Sequence, residues 1–215
     1  MKEKDPYLEG FGEDYAVKPH AVGGLPDQQG RVGHAILTRL GVEFFPFDPR
    51  VEDILIGDIA HSLSLQCRWA GHCQEFYSVA EHSVRVSDYL LETCGPSLAL
   101  VGLMHDASEA YLVDLPRPIK RHEAFSGPYL AAEAALERAI AERFALSHPW
   151  GPEIHHADNV ILATEYRDLL PQGRADRYKL RGLPDPLPGR ISPVTPRAAC
   201  ATFLQRFQEL HGSLS

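Results

Sequence analysis

The chain has 215 residues, of which 44% are hydrophobic, enough to bury the core of one large domain. Its formal net charge of −8 excludes a protein that grips duplex nucleic acid by its phosphates, which takes a basic face; a local basic pocket for a small phosphorylated ligand stays open. No apolar run approaches the ~18 residues of a membrane span, and the opening MKEKDPYLEGFGEDY lacks the apolar core of a secretory signal. Cys67, Cys73, Cys94 and Cys200 form no CxxC pair and are expected as reduced thiols in a cytoplasmic protein, without zinc-finger or disulfide roles.

Residues 1–30 are rich in Gly, Asp, Glu and Pro with no apolar period, and are expected as a loosely ordered extension. Residues 36–56 hold short β-prone runs broken by Pro and Asp, which predict one small hairpin. The chain then turns helical, with Asp58 placed to cap a short helix through IAHSLSLQ. Ser78 and Glu81 have the spacing of a capping box, and the helix they open puts His82, Val86, Tyr89 and Leu90 on one face. Gly95-Pro96 stops that helix and starts the next, predicted from about Ser97 through Tyr111. PYLAAEAALERAIAERFAL predicts an amphipathic helix with Leu130, Leu136, Ile140 and Phe144 inward. GPEIHHADNVILATEYRDLL predicts another, and after a Pro-rich linker Thr195-Pro196 opens a last helix with Phe203, Phe207 and Leu210 as its stripe. The expected fold is therefore all-α, a helical bundle over residues 31–183 with a small β-hairpin near its start, and residues 184–215 supplying the linker and a packed C-terminal helix.

LVGLMHDASEAYLVDLP, residues 100–116, sets His105 and Asp106 in the middle of an apolar run, where an uncompensated ionisable pair costs several kcal/mol. In an antiparallel hairpin about Gly95-Pro96, His82 lies about 13 residues before the turn and His105 about 10 after it, so at 1.5 Å per residue their heights differ by roughly 5 Å. Glu109 follows Asp106 by one turn on the same side. In the helix near residues 152–170, Ile154, Ile161, Leu162 and Leu169 form an apolar stripe that also carries Asp158 and Glu165, and a carboxylate facing a core needs a cation or hydrogen-bond donors. Two imidazoles and two carboxylates on three helices make a mixed nitrogen and oxygen site for one divalent metal ion: Mn, Co, Zn, Fe or Mg.

The order His82, His105-Asp106, Asp158 resembles the HD-domain superfamily of metal-dependent phosphohydrolases. HDASEAYLVDLPRPIK is similar to the HD-x-x-E…D-[LI]-P-x-P-[VIL]-K run of 5′-deoxynucleotidases and phage dATP triphosphohydrolases, and CRWAGHCQEFYSVAEHSVRVS to their Arg-aromatic…EHS stretch. The likeness spans roughly residues 40–170. It implies His82, His105, Asp106 and Asp158 as metal ligands, with Glu109 as an acid/base or water-orienting carboxylate and Asp114 as a proton donor to the leaving oxygen. It further implies Arg68 and Lys120 as phosphate contacts and, through the likeness of RWAGH to a branch with Arg-aromatic-Gly-Gly-His, His72 as a contact to phosphate or to the water beyond the metal ligands. Trp69, beside Arg68, is placed to stack on base or sugar, and His155, three residues before Asp158 on the same helical face, is a further candidate phosphate contact. His122, His148 and His156 share no helical face with the ligand set, so one metal rather than two is expected.

The implied activity is hydrolysis of small (deoxy)nucleotides, releasing phosphate from a monophosphate or triphosphate from a dNTP. The alternatives are a non-catalytic nucleotide-binding or regulatory HD module and, far behind, a mononuclear iron oxygenase, whose facial triad usually rides on β-barrel strands. Expected partners are a small phosphorylated substrate and a second copy of the chain, without duplex nucleic acid or membrane.

Overall fold

The computed structural model describes residues 30–171 and 182–214, so the extension expected over residues 1–30 lies almost wholly outside the described residues. The described chain is mainly helical, with one small antiparallel sheet near its start. Strands β1 (Ile36–Leu37) and β2 (Glu43–Phe44) pair Ile36 with Phe44 and Leu37 with Glu43. The connecting turn closes with Gly41 N–H donating to Thr38 O, and Gly41 takes φ 82°, a left-handed conformation that glycine adopts without strain. Leu40 and Phe44 anchor the hairpin in the core.

Helix α1 (Ile56–Leu65) is capped at Leu55, not at Asp58 as the sequence predicts. Asp58 sits inside the first turn, and its buried Oδ1 accepts from Leu40 N–H at 2.8 Å, tying the helix to the hairpin. A tertiary donor has taken the oxygen that the local reading assigned to the helix end. Helix α2 (Val79–Thr93) starts where expected: Ser78 Oγ accepts from Glu81 N–H at 3.1 Å. The Glu81 carboxylate turns elsewhere, to Arg85 and to Val194 N–H.

Helix α3 (Pro96–Met104) folds back on α2 after Gly95, and Gly102 sets how closely the two approach. A Cβ at Gly102 would stand 2.4 Å from Leu90 Cδ1 and 3.2 Å from Val86 Cγ1. The single helix predicted through Tyr111 is instead broken. The ring Nδ1–H of His105 donates to Gly102 O at 2.7 Å, the carbonyl that the next turn would have used. Tighter bonds follow, from Ala107 to Met104 and from Glu109 to Asp106, before α4 (Glu109–Leu112) resumes.

After the one-turn α5 (Arg117–Lys120) comes α6 (Glu123–Arg143), which begins before the predicted Pro128 because His122 Nδ1 caps it through Ala124 N–H. Its inward face runs through Tyr129, Ala132, Leu136 and Ile140, and Leu130 is 42% exposed, contrary to the sequence reading. Six residues before Leu136, Leu130 lies about 240° around the helix from it. Helix α7 (Pro152–Leu169) buries Ile154, Ala157, Ile161 and Leu169. Helix α8 (Pro196–Leu214) packs Phe203, Phe207 and Leu210 into the same core, against α1, α2 and α3. The Pro-rich stretch before it is strapped along the bundle by Leu187 N–H to Thr164 Oγ1, Ile191 N–H to Asp168 and Val194 N–H to Glu81. Among the described residues, no helix is long and apolar enough to cross a membrane.

Candidate metal centre and its surroundings

The break after α3 and the capped start of α2 put two imidazoles side by side. His82 lies one turn into α2, His105 at the end of α3, and their rings are centred 5.4 Å apart. Both are buried. In each ring Nδ1 faces an acceptor, Glu165 Oε1 at 2.6 Å for His82 and Gly102 O at 2.7 Å for His105. An acceptor at Nδ1 holds a proton there and leaves Nε2 as the atom a metal would take, the arrangement metal-ligating histidines adopt. Both Nε2 atoms are buried and hydrogen-bonded to nothing.

Two carboxylates converge on them. Asp106 places Oδ1 3.2 Å from His105 Nε2 and Oδ2 3.5 Å from His82 Nε2, so donor atoms of His82, His105 and Asp106 lie within 4.8 Å of one another. From α7, Asp158 brings Oδ1 to 3.3 Å from His82 Nε2. Two orphaned imidazole nitrogens facing two carboxylates fit a divalent cation, with His82, His105, Asp106 and Asp158 able to hold it.

The carboxylates set the charge state around these rings. Burial and the Arg68 charge oppose a protonated His82, but Glu165 and Asp158 outweigh both and lift it to about 9. Burial likewise opposes ionisation of Glu165, yet Arg68 and His82 hold it down to about 2. Asp158 is held below the usual carboxylate range by His82, against its burial.

Beside the centre, Arg68 is buried between two carboxylates, Nη2 3.2 Å from Glu165 and Nη1 3.5 Å from Asp106. It stands on a tight turn in which Trp69, Ala70 and Gly71 all take positive φ. The Cys67–Ser78 bridge and Arg68 N–H to Tyr77 O close the turn's base. Trp69 points its Nε1–H at Glu165 Oε2, 3.1 Å away.

Glu109 is buried at the start of α4, and burial, with Asp106 and Asp114 alongside, pushes it well above the usual carboxylate range. Burial also raises Asp114. Gln66 braces both: its Nε2 donates to Glu109 O at 3.0 Å, and its Oε1 accepts from Asp114 N–H at 3.1 Å.

The remaining sequence candidates are placed further out. Lys120 is bonded to Glu133, with Tyr129 beneath it. His72 and His155 are exposed. His122 caps α6, His148 meets Glu137 and Trp150, and His156 meets Tyr89. Of the cations near the motif's end, it is Arg117 that donates to Asp158 Oδ2, at 2.8 Å, and so borders the centre.

The chain is similar to the uncharacterized protein YfdR of Escherichia coli (strain K12), 37% identical over 175 residues that cover 81% of this chain and 94% of that one. The chain belongs to the YfdR family. It is also similar to an uncharacterized protein of Rhodobacter capsulatus, 34% identical over 183 residues, covering 78% of this chain and 91% of the relative. No family model matches the chain.

Proposed function

We propose that this YfdR-family protein is a divalent-metal-dependent phosphohydrolase of small (deoxy)nucleotides. The observation that carries the reading is the pair of buried, unpartnered Nε2 atoms of His82 and His105 facing Asp106 and Asp158. The resemblance of HDASEAYLVDLPRPIK to HD-domain nucleotidases supports the same reading. A divalent cation held there acidifies water and polarises a phosphoryl oxygen.

The chain's own groups supply the rest. Arg68 and Arg117 bring guanidinium charge to the edges of the ligand set, at Asp106 and Asp158, where it attracts a phosphate. Glu109, pushed well above the usual carboxylate range by burial, is the acid/base carboxylate of this reading, and its Oε2 has no protein hydrogen-bond partner. Asp114, also raised, is the proton donor to the leaving oxygen in this reading. Gln66 keeps the two acids in register by gripping the backbone of both.

The test is product analysis with each dNMP and dNTP, metal-loaded wild type running beside D106A. Phosphate from a dNMP identifies a 5′-nucleotidase; intact triphosphate and nucleoside from a dNTP identify a triphosphohydrolase. D106A is expected to lose about a thousandfold or more in rate, since it removes a ligand of the centre. No turnover of either class with Mn, Co, Mg or Zn overturns the enzyme reading and leaves a nucleotide-binding module.

A further inference from the structure

Glu165 is wholly buried on α7, two turns beyond Asp158, and its two oxygens serve different partners. Oε1 accepts Nδ1–H of His82 at 2.6 Å. Oε2 accepts from Arg68, Nε at 3.4 Å and Nη2 at 3.2 Å, and from Trp69 Nε1 at 3.1 Å. One carboxylate therefore holds an imidazole of the candidate metal centre on one side, and on the other the arginine and tryptophan of the turn that borders it.

A carboxylate is the side chain that serves both. It accepts at two oxygens, whereas an amide of the same shape accepts at one and donates at the other, and every atom facing Glu165 here is a donor. Its charge is also the counterpart that keeps a buried guanidinium at Arg68. We propose that Glu165 is a positioning residue that couples the two halves of the site. It turns His82 Nε2 toward the cation and fixes Arg68 and Trp69 for an anion, so that metal affinity and phosphate affinity both depend on it. This rests on the reading of His82 as a metal ligand and Arg68 as a phosphate contact.

The experiment uses the full chain stripped of metal, in wild-type, E165Q and H82A forms. Co2+ affinity is read from its visible absorption, and inorganic phosphate affinity from calorimetry on protein saturated with Zn2+. E165Q is expected to bind Co2+ about 10–100-fold more weakly, and phosphate about tenfold more weakly. If E165Q keeps both affinities within about threefold while H82A loses Co2+, Glu165 is not the coupling residue although the metal reading stands. If only one affinity falls, the coupling is wrong. If wild type takes up no more Co2+ than H82A, the metal reading fails and this proposal with it. A fourth readout needs no variant: 15N NMR of the Zn2+-loaded wild type should show His82 protonated at Nδ1 and ligated at Nε2. The opposite assignment overturns the proposal even if E165Q does not fold.

Discussion

Val113 takes φ 71° and ψ 146°, a backbone region that costs a β-branched residue about 1–3 kcal/mol. Three bonds hold it there: Val113 N–H to Glu109 O, Tyr129 Oη–H to Val113 O, and the neighbouring Asp114 N–H to Gln66. The side chain is 58% exposed, so removing it gives up little burial. V113G should therefore stabilise the fold by about 1 kcal/mol after the entropy that glycine costs, and a lower urea midpoint than wild type would contradict this account of the turn. At the same scale His82 sets a pH dependence. In the metal-free protein its proton persists to about 9 against 6.5 in an ordinary histidine, so its stabilising contribution is full below pH 6.5 and is lost as pH rises through 9. A cation must displace that proton, so uptake should strengthen about tenfold per pH unit between 7 and 9. Calorimetry in buffers of different protonation enthalpy reads the proton released; uptake near neutral pH with no release would contradict the assignment. The ligand-type residues were legible because ionisable groups in apolar runs demand a partner. Gln66 was not, since its role is to grip backbone atoms far along the chain that no local pattern points to.

Among elements, the contact of α2 with α3 does most to form the site, because it brings the helix of His82 against the helix that ends in His105. Gly102 controls it twice: its missing Cβ lets Leu90 and Val86 approach, and its carbonyl orients the His105 ring. G102A should gain up to about 1 kcal/mol in helix propensity but lose about 1–3 kcal/mol to overpacking, for a net loss of roughly 1 kcal/mol. A thermal melt showing G102A more stable than wild type would mean that α3 shifts without strain. The helices themselves were readable from apolar spacing and from Ser78, Gly95 and Pro96. The break at His105 was not, because an imidazole taking a helix carbonyl leaves no trace in periodicity. Leu130 was misread for a different reason: an alanine-rich helix such as α6 offers few large residues to fix its phase.

For the molecule as a whole, the site exists only when three helices, α2, α3 and α7, close around one core that also takes in α8 and the hairpin. The all-α class and the order of elements were legible because each helix carries its own apolar stripe and stop signals. Which cation borders the centre was not: Arg117 meets Asp158, while Lys120, three residues on, is drawn to Glu133 on α6. That choice depends on how a one-turn helix docks, and sequence spacing does not encode it. The assembly of His82, His105, Asp106 and Asp158 from distant parts of the chain is the claim on which the function rests. The measurement that tests it most directly is a titration of chelator-stripped protein with Mn2+, counting free ion by electron paramagnetic resonance. Wild type should take up one equivalent, with uptake abolished in H105A. Equal uptake by the two proteins, or none by wild type, would contradict the metal centre and the phosphohydrolase reading built on it.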